Sequence, residues 1–243
     1  MERDRAVIEV LNELVARRAR WGFWKLYDRL RLDGQCINHK RLLRVYRAMK
    51  LNLPRRTKRR LPTRIRQPLA APAGLNQIWA LDFMSDSLYG GRAFRTLNLI
   101  DEGNRQVLGI EVAHSIPSLR VIRVMEQLIE LYGKPRALPL DNGPELTSVA
   151  FTEWCAAHGI EVRFIQPGKP DQNAFIERFN KTYRDVVLDA YVFETIEQVR
   201  EITEDWLSEY NEERPHDSLR RVPPLTFMPR PTVVRESTFK MSP

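Results

Sequence analysis

Cysteine is almost missing from this chain. It holds two, Cys36 and Cys155, too few for a disulfide framework and suited to a reducing compartment. Each stands three residues before a histidine, Cys36 before His39 and Cys155 before His158. That spacing can be read as two halves of a zinc site. Both pairs fall in or beside helical patterns, however, and Cys155 sits between Trp154 and Ala156 as a small core residue would. No apolar run reaches the ~18 residues of a membrane span. The start, Met1-Glu-Arg-Asp-Arg, lacks the apolar stretch of a secretion signal. The protein is expected to stay in the cytoplasm of the cell that makes it. Acid is missing from one long stretch: Lys40 to Arg66 holds twelve Lys or Arg and no Asp or Glu. Internal repeats and low-complexity segments are lacking too.

What is present is a chain of 243 residues, 43% hydrophobic, with a net charge of +8. That is enough for one mid-sized domain and a small one. The basic excess points to a polyanion, because clustered Lys and Arg neutralise phosphates and release their counterions.

Apolar residues at helical spacing predict helices over 3–19, about 22–32 and 39–50, with Asn38 as cap of the third. Asp33-Gly34 turns the chain before that helix, whose polar side carries Lys40, Arg41, Arg44 and Arg47. Three short helices ending in a basic one suggest a helix-turn-helix-like DNA-binding unit over 1–53. Pro54, Pro62, Pro68 and Pro72 keep the next stretch extended. It reads as a basic linker over 54–73, with Arg55, Arg56, Lys58, Arg59 and Arg60 placed to follow a DNA backbone.

From Asn76 the pattern changes to strands: an apolar run from Ile78 around one acid, then Ala93–Ile100 and Gln106–Val112. A helix over 117–132, a strand over 136–140, a helix near 147–158 and a strand over 160–165 follow. Helices near 171–188 and 195–212 complete a mixed α/β plan.

Three acids stand out. Asp82 lies inside an apolar strand, where a charge is costly unless paired or bound to metal. Asp141 ends a short buried strand, just before the Asn142-Gly143-Pro144 turn, at a sheet rim where ligands commonly bind. Glu177 falls on a helix face with Asn173, Asn180, Lys181 and Arg184, opposite the apolar stripe of Ile176, Phe179, Tyr183 and Val186. Carboxylates are the hard ligands that Mg²⁺ prefers. In-line phosphodiester displacement is helped by two divalent ions ~4 Å apart. Asp86, which shares a strand face with Asp82, and Asp101, expected in a turn, are read as non-catalytic.

Trp79-Ala-Leu-Asp82-Phe, Asp141-Asn-Gly-Pro-Glu and Gly168-Lys-Pro-Asp-Gln-Asn-Ala-Phe-Ile-Glu177-Arg-Phe-Asn resemble the motifs of OrfB-type transposases of the IS-three group of bacterial insertion sequences. Those belong to the DDE transposase and retroviral integrase superfamily. Thirty-five residues separate Asp141 from Glu177, matching its Asp, Asp, 35, Glu signature. Ile37-Asn-His-Lys-Arg and the ending Tyr210-Asn-Glu-Glu-Arg-Pro-His216 are likewise similar, so the resemblance covers nearly the whole chain. Leu138-Pro-Leu140 before Asp141 is less polar than in many relatives.

The resemblance implies a ribonuclease-H-like integrase core over 74–190, a five-stranded mixed sheet flanked by helices, followed by a C-terminal helix and tail over 191–243. It implies Asp82, Asp141 and Glu177 as catalytic acids and ligands of Mg²⁺ or Mn²⁺, as two ions. Double-stranded DNA, both element ends and target, is the expected partner. Lys169, Asn173, Asn180, Lys181 and Arg184 are expected to touch it, and His216 is left open between DNA and structure. A homo-oligomer on DNA, an upstream OrfA-type protein or fusion, and copy-out, paste-in movement through a circle are also implied. A plain nuclease of the same fold and a catalytically silent DNA-binding regulator remain as alternatives.

Overall fold

The structure is a computed structural model that describes residues 4–54, 72–165 and 173–230. Helices α1 (Arg5–Arg17), α2 (Phe23–Leu32) and α3 (His39–Ala48) close around Leu11, Leu26 and Leu42, none of which touches solvent. Asn38 caps α3 as expected: its side-chain oxygen accepts from the Lys40 amide at 2.9 Å. Gly34, at φ +79°, makes the left-handed turn that ends α2. Arg55, Arg56, Lys58, Arg59, Arg60 and Lys169 lie outside the described residues.

Strands β1 (Trp79–Ser87), β2 (Ala93–Asp101) and β3 (Val107–Ala113) form an antiparallel meander in the order β1-β2-β3. Strands β4 (Ala137–Leu140) and β5 (Glu161–Phe164) pair in parallel. A parallel bridge between Ile78 and Ala137 joins β4 to the β1 edge. The result is the five-stranded mixed arrangement expected, ordered β3-β2-β1-β4-β5.

Strand alternation then sorts side chains to two faces. Trp79 and Leu81 of β1, with Leu97 and Leu99 of β2, face helices α4 (Ser118–Tyr132) and α6 (Val149–Ala157). Ala80, Phe94 and Ile100 face the other way, toward α7 (Ala174–Tyr183) and α8 (Ile196–Ser208). Asp82 and Asn98 keep the phase of that second face and stand directly opposite each other across β1 and β2. The helix α8, expected to belong to the tail, puts Val199 and Trp206 into the same core as β2 and α7. It completes the second layer.

Two other expectations differ. The helices drawn over 171–188 and 195–212 widen into π-turns at Arg184–Leu188 and Glu209–Glu213. A short helix α5 (Pro144–Thr147) begins at the proline of the expected turn, because proline suits the first helical position.

The segment after α8 is a tie between regions. Asn211 makes paired bonds to Val107 N and O, both at 2.9 Å, standing where a neighbouring strand would stand. Lys25 of α2 donates to Pro215 O at 2.9 Å, and Arg18 reaches Glu213 at 2.6 Å. His216 is half-buried with its ring against Tyr210 at 4.6 Å, and desolvation, with Arg214 and Lys25 adding to it, pushes its pKa down to about 3. The imidazole is therefore neutral where it packs on Tyr210.

Candidate active site

Asp82 sits midway along β1, half-buried between the sheet and α7. Its Oδ1 accepts from the Phe83 amide at 2.8 Å and its Oδ2 from Asn180 Nδ2 at 2.7 Å. Burial pushes its pKa up to about 6, and the charges of Asp141 and Glu177 push the same way. The two bonds from Phe83 and Asn180 oppose this. Asp82 thus lies within electrostatic reach of the other two acids singled out in the sequence.

Asp141 follows β4 directly and accepts from the Gly143 amide at 3.0 Å, which fixes its direction. A Cβ on Gly143 would lie 3.0 Å from that same Asp141 oxygen, so the tight turn favours glycine. Glu177 projects, exposed, from the first turn of α7, where the helix dipole favours an anion. Among the described residues no three or more His, Cys, Asp or Glu side chains are already drawn into a cluster able to hold a metal ion.

The donors nevertheless suit a hard divalent cation. They are all carboxylates, and like charge, rather than a base, is what Asp82 feels from its two partners. Lys181, which stood in reach of two acids on its helix, turns to Asp185 at 3.0 Å instead of Glu177.

The expected DNA-contacting residues divide. Lys40, Arg44 and Arg47 are exposed on α3. Arg41 and Arg44 also hold the two oxygens of Asp4, each at 2.8 Å, at the start of α1. Lys181 is exposed on α7. Arg184 is turned inward, bonded to Asp86 at 3.0 Å and to Ser85 O at 2.9 Å. Asn173 and Asn180 are buried. Asn180 corrects the expectation of a phosphate contact: one end of its amide is spent on Asp82 and the other on Asn98 Nδ2, at 2.7 Å. The reason is helix phase, since Asn180 follows the buried Phe179 and lies one turn after the buried Ile176.

Sequence reasoning missed two supports. Asn98 is one, hidden inside an apolar strand. The other is Arg95 of β2, which pairs with Glu145 of α5 and lies over the Phe83 ring at 4.4 Å. It braces the loop that carries Asp141. Glu145 stood in the quoted Asp141-Asn-Gly-Pro-Glu motif and was the available signal.

Comparison with known proteins agrees with this layout. An HTH-like domain matches residues 2–59, and integrase core domains match residues 72–170 and 158–224. The chain is 40% identical over 217 residues to an uncharacterized 39.2 kDa protein of insertion element IS476 from Xanthomonas euvesicatoria, covering 89% of this chain and 63% of that protein. It is 38% identical over 217 residues to an uncharacterized 31.7 kDa protein of insertion element IS407 from Burkholderia multivorans, covering 89% of this chain and 78% of that one. The catalytic core of HTLV-2 integrase, solved with magnesium, overlays with a TM-score of 0.51 at 20% identity, covering 63% of this chain and 95% of that chain. A simian T-cell lymphotropic virus intasome, solved with a PP2A regulatory subunit, overlays with a TM-score of 0.52 at 17% identity, covering 95% of this chain and 79% of that chain. These overlays give the ribonuclease-H-like integrase fold. Proteins with this core depend on a divalent metal. An HTH-like unit ahead of an integrase core, in a chain this close to insertion-element proteins, places it in a family: it belongs to the DDE transposases of bacterial insertion sequences, enzymes of the polynucleotidyl transferase class.

Proposed function

We propose that this chain cuts DNA at the ends of an insertion sequence and joins those ends to a target, with Asp82, Asp141 and Glu177 as its catalytic acids. The observation that carries the reading is a half-buried Asp82 carboxylate that feels the like charges of Asp141 and Glu177. Such a site is unfavourable empty and favourable around cations. Asp82, Asp141 and Glu177 would hold two Mg²⁺ or Mn²⁺ ions. When bound, these ions supply a more reactive attacking oxygen and a stabilised leaving oxygen.

The chain's own residues do the rest. The Phe83 amide and Asn180 fix the plane of the Asp82 carboxylate. Gly143 aims Asp141, and Arg95 with Glu145 braces the loop behind it. Lys40, Arg44 and Arg47 on α3, the basic segment with Arg55, Arg56, Lys58, Arg59 and Arg60, and Lys169 and Lys181 neutralise phosphates. In the first step a water oxygen bonds to phosphorus at the element end and the 3′ oxygen leaves as a free hydroxyl. In the second, that hydroxyl oxygen bonds to a target phosphorus and another 3′ oxygen leaves. Two DNA ends must meet for this, so the active form is a homo-oligomer on DNA. The chain spans 63% of the Xanthomonas relative's length, and an upstream OrfA-type protein or fusion is a further partner under this reading. We divide the chain into a DNA-binding unit over 1–53, a linker over 54–73, a core over 74–190 and a completing helix and tail over 191–243.

The test is strand cleavage and strand transfer on element-end DNA with Mg²⁺. Asp82→Asn, Asp141→Asn and Glu177→Gln should each lower both steps by ~10³-fold or more, equivalent to about 4 kcal/mol of barrier, while gel-shift binding in chelator persists. Asp86→Asn should keep activity. Full activity in Asp82→Asn would overturn the assignment.

A further inference from the structure

Asn98 is wholly buried on β2, between Leu97 and Leu99, and its Oδ1 finds no hydrogen-bond partner among the described residues. A site shaped for stability alone would carry a leucine there, since a buried carbonyl without a partner costs desolvation. Its amide nitrogen has one use: it donates to Asn180 Oδ1 at 2.7 Å. Asn180 in turn donates to Asp82 Oδ2 at 2.7 Å. The polarity of this chain is forced. An ionised carboxylate only accepts, so Asn180 must present its NH₂ group to Asp82 and its oxygen to Asn98.

We propose that Asn98 and Asn180 are positioning residues: Asn98 sets which end of the Asn180 amide faces Asp82, and Asn180 orients the Asp82 carboxylate for metal. The inference rests on the transposase reading of the site and adds two residues to it. Asp82 and Asn98 are cross-strand partners, and Asn180 comes down on them from α7. Asn180 lies three residues beyond Glu177, on the same turn region of that helix. One amide therefore ties the phase of α7, and with it Glu177, to β1. Each Asp82 oxygen already accepts one hydrogen bond, so the remaining lone pairs have a fixed direction. Partners that orient ligating carboxylates typically change metal affinity by ~10–100-fold when removed.

The experiment titrates Mn²⁺ into the full chain without DNA, by calorimetry, beside denaturation in chelator. Asn98→Leu should be about as stable as the wild type in chelator, because the loss of one unpartnered carbonyl offsets the donor taken from Asn180 Oδ1. It should still bind Mn²⁺ about tenfold more weakly, or worse. Asn98→Asp keeps the shape but reverses the polarity, drawing the Asn180 NH₂ group away from Asp82. It should lose about 100-fold in Mn²⁺ affinity. Wild-type Mn²⁺ affinity in either variant overturns the relay, as does a loss that only tracks lost stability in both. Asp82→Asn separates the two levels. If it binds Mn²⁺ and cleaves DNA like the wild type, the site reading fails and takes the relay with it. If it loses both while Asn98→Leu and Asn98→Asp match the wild type, the relay alone fails.

Discussion

Two aspartates, one fully buried and one half-buried, stand on neighbouring strands of the same sheet, and they are solved in opposite ways. Asp101, the last residue of β2, has no exposed surface. It accepts from the Asn76 amide at 2.7 Å and the Gly103 amide at 2.8 Å, and it pairs with Arg230. Arg230 is also bonded to Asn76 Oδ1 at 2.9 Å, Tyr132 O at 3.0 Å and Gln106 Oε1 at 2.7 Å. Every part of that guanidinium has a use. Asp82, half-buried on β1, receives an amide, a backbone N–H and the repulsion of two more acids. A carboxylate answered by arginine holds a fold together. One answered by carboxylates is shaped for a cation that comes and goes. The contrast shows that burial of an acid alone does not mark a site; the sign of its neighbours does.

The largest test of this contrast is Arg230→Ala. Removing one partner of a buried ion pair leaves an uncompensated charge, at a cost of about 3–5 kcal/mol. Urea denaturation in chelator should show that loss, and cleavage per folded molecule should persist. A change below ~1 kcal/mol would mean that the tail is not held by Asp101. The site at Asp82 should respond in the other order, with activity lost and the fold kept.

The neighbour of Asp101 gives a smaller effect, one that depends on pH. Burial raises Glu102 to about 7, against the pull of the Arg105 charge. Its folded value lies above its unfolded one of ~4.3, so the folded state binds the extra proton in between. Stability should therefore fall as pH rises from about 4.5 to 7, by at most ~4 kcal/mol. Glu102→Gln should flatten that part of the profile when unfolding free energy is measured against pH. An identical slope in the variant would assign the pH dependence elsewhere.

Much of this arrangement was legible because it follows local periods. A continuous apolar run around a single acid marked Asp82, and the stripe of Ile176, Phe179 and Tyr183 set the phase of α7. Asp141 was visible as the end of a short apolar strand. What failed was pairing at long range. Asp101 was read as a turn residue because Arg230 is 129 positions away in the chain. Lys181 had Glu177 and Asp185 both four residues distant, and only packing chooses between them. Asn180 was placed among surface polar residues since a helix stripe does not reveal where the sheet edge ends. Asn98 gave no sign at all: one amide inside an apolar strand has no period to break.

The smallest effect is the sharpest, because its sign should change with pH. In chelator at pH 8, ionised Asp82 carries the cost of burial and of Asp141 and Glu177, since its pKa is pushed up to about 6. Relative to an unfolded value of ~3.9, that is a penalty of at most about 3 kcal/mol, lessened by water at the half-exposed rim. Asp82→Asn removes the charge. It also puts a donor or an unmatched acceptor where the carboxylate accepted from both Phe83 N and Asn180 Nδ2, which costs about 1 kcal/mol. The net should be a gain of roughly 1 kcal/mol at pH 8. At pH 4.5 the wild-type acid is mostly protonated and the penalty is gone, so only the lost hydrogen bond remains and the variant should be no more stable than wild type. Asp101→Asn should be destabilised at both pH values, because Arg230 is left without its counter-charge. Saturating Mn²⁺ should erase the gain at pH 8 by stabilising only the wild type. Parallel denaturation curves for the two variants at both pH values would abolish the distinction between the two aspartates.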